Sequence, residues 1–157
     1  MKKFPMTING YEELSQELHR LKTIDRPAII QAIAEARSHG DLSENAEYSA
    51  AKEKQAFIEG RIADVEAKIS LAEVIDIKKL ATTDTVIFGV SVTILDLDND
   101  NKITYQIVGD DEADLKKLKI SVNSPVAKSL IGKTIGQVIE VTVPSGTREY
   151  EIIDIII

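Results

Sequence analysis

The spacing of apolar residues divides the chain into two halves. In the first half, apolar side chains recur every three or four positions among Glu, Lys, Gln, Arg and Ala, which is the pattern of amphipathic helices. The members of this stripe are Leu14, Leu18, Leu21, Ile30, Ile33, Ile58, Ile62, Val65, Ile69 and Ala72. The last five repeat at intervals of four and three residues, as the seam of a coiled coil does. We therefore predict two helical arms, the second running from about Glu44 to about Val74 over ~46 Å.

Two residues are expected to interrupt or end helical structure in the first arm. Pro27 cannot continue a regular helix, so it either starts a new helical segment with Asp25 near its cap or kinks a continuous one. Gly40 is the expected C-cap of this arm. Only four or five residues then remain before the second arm, and so short a loop makes the two arms antiparallel. The pattern predicts a slender helical hairpin whose tip is formed by the residues around Gly40 to Ser43.

The second half has the composition of strands. Runs rich in β-branched residues are separated by turn residues at 96–101 and 144–146. A short helix is predicted at 124–130, with Asn123 or Ser124 as its N-cap and Pro125 at its first position. The predicted strands are residues 86–88, 90–95, 103–108, 138–143 and 149–155. The whole chain is therefore an α+β two-domain protein, with a coiled-coil hairpin over 1–77, a linker over 78–84, and an antiparallel sheet with one short helix over 85–157.

Composition narrows the function classes. The chain has 157 residues and a net charge of −7, which argues against a general DNA or RNA binder because such affinity rests on cationic contacts to phosphates. It suits a protein that meets a cationic or metal-bearing partner. There is no Cys, so there is no disulfide, thiolate nucleophile or Cys-based zinc site. We find no run of ~20 apolar residues that could cross a bilayer and no signal peptide, and we expect a cytoplasmic protein.

Asp41 and Glu44 are the most informative residues of the tip. An Asp-x-x-Glu spacing at a helix start is a capping box, in which both side chains bond to backbone N–H groups. The alternative is an incomplete metal site, because two carboxylates within one turn can share a divalent cation such as Mg²⁺. Two carboxylates alone bind it weakly, so the other ligands would come from another molecule.

The basic residues near the tip also have two interpretations. Arg37, Lys52 and Lys54 are either solvated helix surface or a small cationic patch for a nucleic-acid strand. Three other patterns are not functional sites. Residues 96–101 begin like an EF-hand loop but lack its glycine and its bidentate Glu, and residues 132–134 lack the earlier glycine of a P-loop. His19 and His39 have no partners at metal or catalytic spacing.

Longer motifs resemble a known family. Residues 33–48, IAEARSHGDLSENAEY, resemble the tip of the bacterial transcript-cleavage factors of the GreA/GreB family. Residues 108–114 (VGDDEAD), 120–127 (ISVNSPVA) and 130–133 (LIGK) resemble its C-terminal domain, and residues 5–7 and 86–89 fit as well. The resemblance covers essentially the whole chain, and the acidic balance is closer to the GreA branch.

The resemblance implies a concrete activity. The coiled coil would enter the secondary channel of bacterial RNA polymerase, and an FKBP-like C-terminal domain would dock outside it. Asp41 and Glu44 would hold a second Mg²⁺ of the polymerase active centre, with Ser43 orienting a water, so that the polymerase cleaves the nascent RNA 3′ end of a backtracked complex. The factor would have no cofactor of its own and would not be an enzyme, and we expect a monomer without membrane association.

Further roles are implied by the same resemblance. RNA contacts fall on Arg37 and Lys52. The polymerase-docking region falls on Ser121, Asn123, Ser124 and Pro125.

Two other classes of function compete with transcript cleavage. The first is a channel-binding regulator that inhibits without cleaving, which the intact acid pair argues against. The second is a prolyl isomerase or chaperone, whose aromatic pocket would have to be built from Phe88, Tyr105 and Tyr150 alone.

Overall fold

The structure is a computed structural model that describes residues 3–40, 45–79 and 84–157. The chain forms two compact units. One contains Tyr11–Ala72 and the other contains Lys3–Gly10 together with Glu73–Ile157. Lys3–Gly10 thus group with the second unit and not with the hairpin. Within the described ranges, no helix has both the length and the apolar character needed to cross a membrane.

The hairpin unit is built from three α-helices. α1 (Ile8–Arg20) leads through a π-helical turn, Leu21–Asp25, into α2 (Arg26–Ser38), and α3 (Ala46–Ser70) returns along it. α2 ends in a C-cap at His39, and Gly40 follows with φ +115°. Among the described residues none would contact a Cβ at Gly40, and its left-handed backbone favours glycine here. The predicted helical hairpin and its glycine terminator are confirmed.

The π-helical turn explains one wrong prediction. Pro27 has no N–H, and in the turn before it the Arg26 N–H bonds to the carbonyl five residues back, at Leu21. The extra residue in this turn shifts the buried positions by one, so that Leu21 is followed by Ile29 instead of residue 28. Ile30, predicted to lie on the stripe, is 53% exposed. The first arm therefore continues through Pro27, but the register of its buried positions shifts by one residue.

The predicted seam is confirmed along α3, but the prediction of a helix to about Val74 is wrong, because α3 ends at Ser70 and Ala72–Ile75 form a strand. Charged pairs flank the seam. Ile58, Ile62 and Val65 are buried, and the first two cluster with Leu21 and Ile29. Among the ion pairs that cross between the arms are Arg61 to Glu17, Arg26 to Glu59, and Lys22 to Glu66. The first two are bidentate, with N–O distances of 2.6–2.8 Å. A narrow apolar seam and the ion pairs that flank it therefore stabilise the hairpin.

The second unit centres on a five-stranded sheet. Its strands are β3 (Ser91–Asp96), β4 (Lys102–Val108), β5 (Lys119–Ser121), β6 (Val138–Val143) and β7 (Gly146–Ile156), in the order β5-β4-β3-β7-β6. All pairs are antiparallel except β4 with β5, so the predicted antiparallel sheet is confirmed, with one parallel pair at its β5 edge. The predicted short helix is confirmed as α4 (Pro125–Leu130) with Ser124 as N-cap.

One face of the sheet packs on α4. The core contains eleven buried residues, including Ile94, Ile107 and Ile152 from the strands and Leu130 from the helix. Residues 86–88, predicted as a strand, do not form one. Val86 is fully buried in a loop, where its backbone bonds to that of Lys133 and Gly132. A buried, β-branched loop has the composition of a strand, which is why the prediction failed there.

The start of the chain is tied to this unit. β1 (Phe4–Thr7) pairs with β2 (Ala72–Ile75) in a separate two-stranded sheet. The Thr7 hydroxyl donates to the Glu112 carboxylate at 2.5 Å, and that side chain is 5% exposed. A Cβ on Gly109 would lie 2.4 Å from the carbonyl oxygen of Pro5, so this close backbone approach requires glycine. The contacts of Thr7 with Glu112 and of Pro5 with Gly109 span more than a hundred residues of sequence, and no local pattern could predict them.

Candidate functional site

The flanks of the hairpin tip are closely bonded. α2 ends with the Ser38 hydroxyl donating to the Glu35 carbonyl at 2.6 Å, and the His39 N–H donates to the Ala36 carbonyl at 3.2 Å. Across the arms, the His39 ring Nδ1 lies 3.2 Å from a carboxylate oxygen of Glu47. The last turn of α2 therefore lies level with the first turn of α3.

Asn45 makes the second contact between the arms. Its side-chain oxygen accepts from the Tyr48 N–H at 3.1 Å, which makes it the N-cap of α3. Its side-chain nitrogen donates to the Ala36 carbonyl at 2.6 Å. That carbonyl belongs to the last turn of α2 and also accepts from the His39 N–H, so Asn45 adds a second bond to it. One amide thus bonds to the end of one arm and to the start of the other.

This geometry decides against the capping interpretation. A capping box built on Asp41 would start the second arm near Glu44, but α3 begins at Ala46 with Asn45 as its N-cap. That prediction is wrong for this helix. Asp41, Ser43 and Glu44 themselves lie outside the described residues, so their predicted roles in catalysis and metal binding stay predictions. Within the part of the chain that is described, no three acidic or histidine side chains cluster as a metal site.

The basic residues are exposed on the two arms. Arg37 lies in the last turn of α2, at the level of the first turn of α3. Lys52 lies further along α3, where its ammonium group donates to the Gln55 side chain at 3.2 Å, and Lys54 is exposed nearby. Their exposure leaves both interpretations open, because solvated surface and a nucleic-acid contact both require it.

The predicted docking residues come together at the start of α4. We call residues 121–125 the docking segment. The Ser124 hydroxyl donates to the Ser121 carbonyl at 2.7 Å and accepts from the Ala127 N–H at 3.3 Å. The Asn123 N–H donates to the Ser121 hydroxyl oxygen at 3.0 Å. Pro125 comes next, exposed, at the first position of the helix.

Sequence reasoning missed the residue that organises this segment. The Asp110 carboxylate accepts from the Ser121 hydroxyl and from the Asn123 side-chain nitrogen, the latter at 3.1 and 3.2 Å. Asp110 lies just after β4, and the parallel pairing of β4 with β5 brings the two stretches side by side. The sequence signal for Asp110 is its place in the VGDDEAD motif, residues 108–114.

Known proteins show the same two parts. Residues 4–74 match the family model "Transcription elongation factor, N-terminal", and residues 81–157 match "Transcription elongation factor, GreA/GreB, C-term". The chain belongs to the GreA/GreB family of transcription elongation factors. The predicted resemblance is therefore confirmed across both units.

Individual members of the GreA/GreB family align over almost the full chain. Transcription elongation factor GreA of Maricaulis maris is 57% identical and that of Alkalilimnicola ehrlichii is 56% identical, each covering 99% of this chain and 98% of the relative. Among solved structures, GreA factor homolog 1 (Gfh1) of Thermus thermophilus is 28% identical with a TM-score of 0.45, covering 98% of this chain and 99% of that one. GreA/GreB from Nitrosomonas europaea is 20% identical with a TM-score of 0.44, covering both chains fully.

Proposed function

We propose that this elongation factor stimulates bacterial RNA polymerase to cleave the RNA 3′ end in backtracked, arrested complexes, so that elongation resumes. In this proposal the hairpin enters the secondary channel of the polymerase and brings Asp41 and Glu44 to its active centre. The sheet unit docks on the polymerase outside the channel through the docking segment. The factor works in the cytoplasm and is not an enzyme by itself, because the substrate and most metal ligands belong to the polymerase.

The donor chemistry of the tip fits this task. Carboxylate oxygens are the ligands that Mg²⁺ prefers, and two of them leave most of its octahedral positions for other molecules. A second Mg²⁺ held there would lower the pKa of a bound water and stabilise charge at the phosphate. Asp41 and Glu44 hold and neutralise the metal, and the Ser43 hydroxyl can donate to or accept from the attacking water. Arg37 and Lys52 contact the RNA backbone as cations.

The observation that supports this proposal best is the N-cap of α3. The N-cap of α3 is Asn45 and not Asp41. Two carboxylates three residues apart in the sequence can share a divalent cation when another molecule supplies the remaining ligands. The aromatic residues of the isomerase alternative, Phe88, Tyr105 and Tyr150, pack against the sheet core, which argues against an aromatic-lined pocket.

RNA cleavage in a stalled, backtracked elongation complex tests the proposal. We expect the wild-type factor to release the RNA 3′ fragment, and Asp41→Asn or Glu44→Gln to abolish release while polymerase binding persists. Raising Mg²⁺ should restore part of the activity of the single variants, because the lost carboxylate acts through the metal. Glu53→Gln is the matched control, since it removes an exposed carboxylate from α3 away from the tip.

The outcomes separate the competing functions. Cleavage by the Asp41→Asn/Glu44→Gln double variant at the wild-type rate would contradict the role of the acids. A wild-type factor that binds without cleavage would be a channel-blocking regulator. Turnover of a prolyl peptide would favour the isomerase.

A further inference from the structure

Asn45 has two bonds that a single helix cap does not need. Its oxygen caps α3 through the Tyr48 N–H, and its nitrogen reaches across to the Ala36 carbonyl in α2. The cross-arm bond is the shorter of the two, 2.6 Å against 3.1 Å. Ala36 is 3% exposed, so this bond reaches a residue buried between the arms. Asn45 is therefore a tie between the arms immediately beside the tip.

The side-chain amide of Asn45 makes the two bonds with two different atoms. The carbonyl oxygen accepts from a backbone N–H, and the NH₂ group donates to a backbone carbonyl. Aspartate caps a helix about as well as asparagine, but it has only acceptors when ionised. At this place its second oxygen would face the Ala36 carbonyl, at the negative end of the α2 dipole. An Asn45→Asp exchange therefore keeps the cap and removes the tie.

The tie lies where an error in geometry matters most. Asn45 comes directly after Glu44, and Gly40 directly precedes Asp41, so these two residues flank the tip acids in the sequence. Separation of the arms at this level changes the distance between Gly40 and Asn45. A displacement of about 1 Å in a catalytic group can cost about a hundredfold in rate.

We propose that Asn45 is a positioning residue for cleavage, which holds the two arms at the spacing that aims the tip acids. The inference rests on the proposed function, because it assigns Asn45 a part in the same reaction. Asn45 touches neither the RNA nor the metal in this account. It acts through the backbone of α2, and its contribution appears in the rate of cleavage and not in the affinity for polymerase.

A set of three variants tests the inference. Asn45→Asp keeps the cap without the tie, Asn45→Ser is a second variant of the same kind, and Asn45→Ala removes both bonds. We expect Asn45→Asp and Asn45→Ser to lower the maximal cleavage rate at saturating factor by about tenfold to a hundredfold. The factor concentration that gives half-maximal cleavage should stay within about twofold of wild type, because the docking segment is untouched.

A distance measurement on the free factor supplies an independent readout. The chain has no Cys, so spin labels on Ser38→Cys and Ser49→Cys, both exposed, report the spacing of the arms alone. We expect Asn45→Asp to broaden this distance distribution relative to the wild-type residue. A cap without a positioning role would leave both the distribution and the cleavage rate of Asn45→Asp unchanged, and only Asn45→Ala would differ.

The outcomes distinguish the two levels of the argument. Wild-type cleavage by Asn45→Asp at saturation would overturn the positioning role and leave the proposed function intact. Equal loss in rate and in apparent affinity would also overturn it, because a general loss of structure then accounts for the defect. A wild-type factor without cleavage activity would overturn the proposed function, and the positioning role with it.

Discussion

The hairpin and the sheet unit are stabilised by different interactions. The sheet unit buries eleven residues in one core, with Ile107, Leu130 and Ile152 fully enclosed. The hairpin has a cluster of four, Leu21, Ile29, Ile58 and Ile62, and adds ion pairs and side-chain caps along its edges. Two helices side by side bury only a narrow seam of side chains, so polar contacts must supply part of their stability. A slender arm therefore depends on charge and on hydrogen bonds where a sheet depends on packing.

The largest contrast should appear when one core side chain is truncated in each unit. We expect Ile152→Ala to destabilise the sheet unit by about 2–5 kcal/mol, because a close-packed core collapses only partly around the cavity. Ile62→Ala in the hairpin should cost less, about 2 kcal/mol, since water and neighbouring side chains can fill a seam. Amide hydrogen exchange during chemical denaturation measures each unit separately. A larger loss in the hairpin would break the comparison.

The π-helical turn provides the next test. Deleting Thr23 removes the extra residue, so a regular helix would keep Ile29 and Ala36 on the seam. The Pro27→Ala background is needed for this experiment, because proline inside a regular helix costs about 3 kcal/mol. We expect the Thr23 deletion to fold normally. Deleting Ala34 in the same background should rotate the remaining turn of α2 by about 100° and cost about 1–2 kcal/mol.

Helix content by circular dichroism and exchange of the α3 amides report both deletions. Equal damage from the two would show that the π-helical turn does not set the register of the arm.

The smallest effect concerns charge. Arg61 donates two hydrogen bonds to Glu17, and this bonding and the Arg61 charge lower the pKa of Glu17 despite the opposing effect of burial. A carboxyl whose folded pKa lies below its unfolded value stabilises the fold at higher pH, and this stabilisation is lost as pH falls through the folded pKa. At neutral pH we expect Glu17→Gln to cost about 0.5–1 kcal/mol, because the pair is partly solvated.

The pH profile gives the sharper signature of the same pair. Glu17→Gln should flatten the fall in hairpin stability below the ordinary carboxyl pKa of about 4.3. Glu12→Gln, an exposed acid on the same helix, is the control and should leave the profile unchanged. Identical pH profiles for wild type and Glu17→Gln would contradict a stabilising role of the Arg61–Glu17 ion pair in the hairpin.

Local patterns predicted those parts of the fold that depend on near neighbours. The seam of α3 is uninterrupted, so its spacing identified Ile58, Ile62 and Val65 correctly. Ser124 before Pro125 carries the chemistry of a helix start, and α4 begins there. Ile30 failed because a π-helical turn changes the register without changing composition. The spacing of apolar residues thus identified the buried positions within regular α3 but not beyond the irregular turn at Leu21–Asp25.

Long-range pairing decided the rest. The parallel strand β5 and the contact of Asp110 with Asn123 depend on chain segments that meet only in the folded sheet. The Thr7–Glu112 bond joins distant parts of the sequence in the same way. At the tip, the motif marked the acidic pair, but only the structure identified Asn45 as the residue that joins the arms.

The central claim is that chemistry and docking are divided between the two units. Competition between variants tests it most directly. An excess of Asp41→Asn should suppress cleavage by the wild-type factor, because it docks without donating the tip acid. Adding Pro125→Glu should abolish this suppression, since a charge is placed in the docking segment at a helix position that accepts Glu.

Ser124→Glu is a poorer choice, because it also removes the N-cap of α4. Thr142→Glu, exposed on β6, is the matched control and should preserve the suppression. The account predicts strong suppression by Asp41→Asn and by its Thr142→Glu double variant, and none by its Pro125→Glu double variant. Equal suppression by all three would contradict the division of labour, because docking would then not depend on the sheet unit's predicted segment.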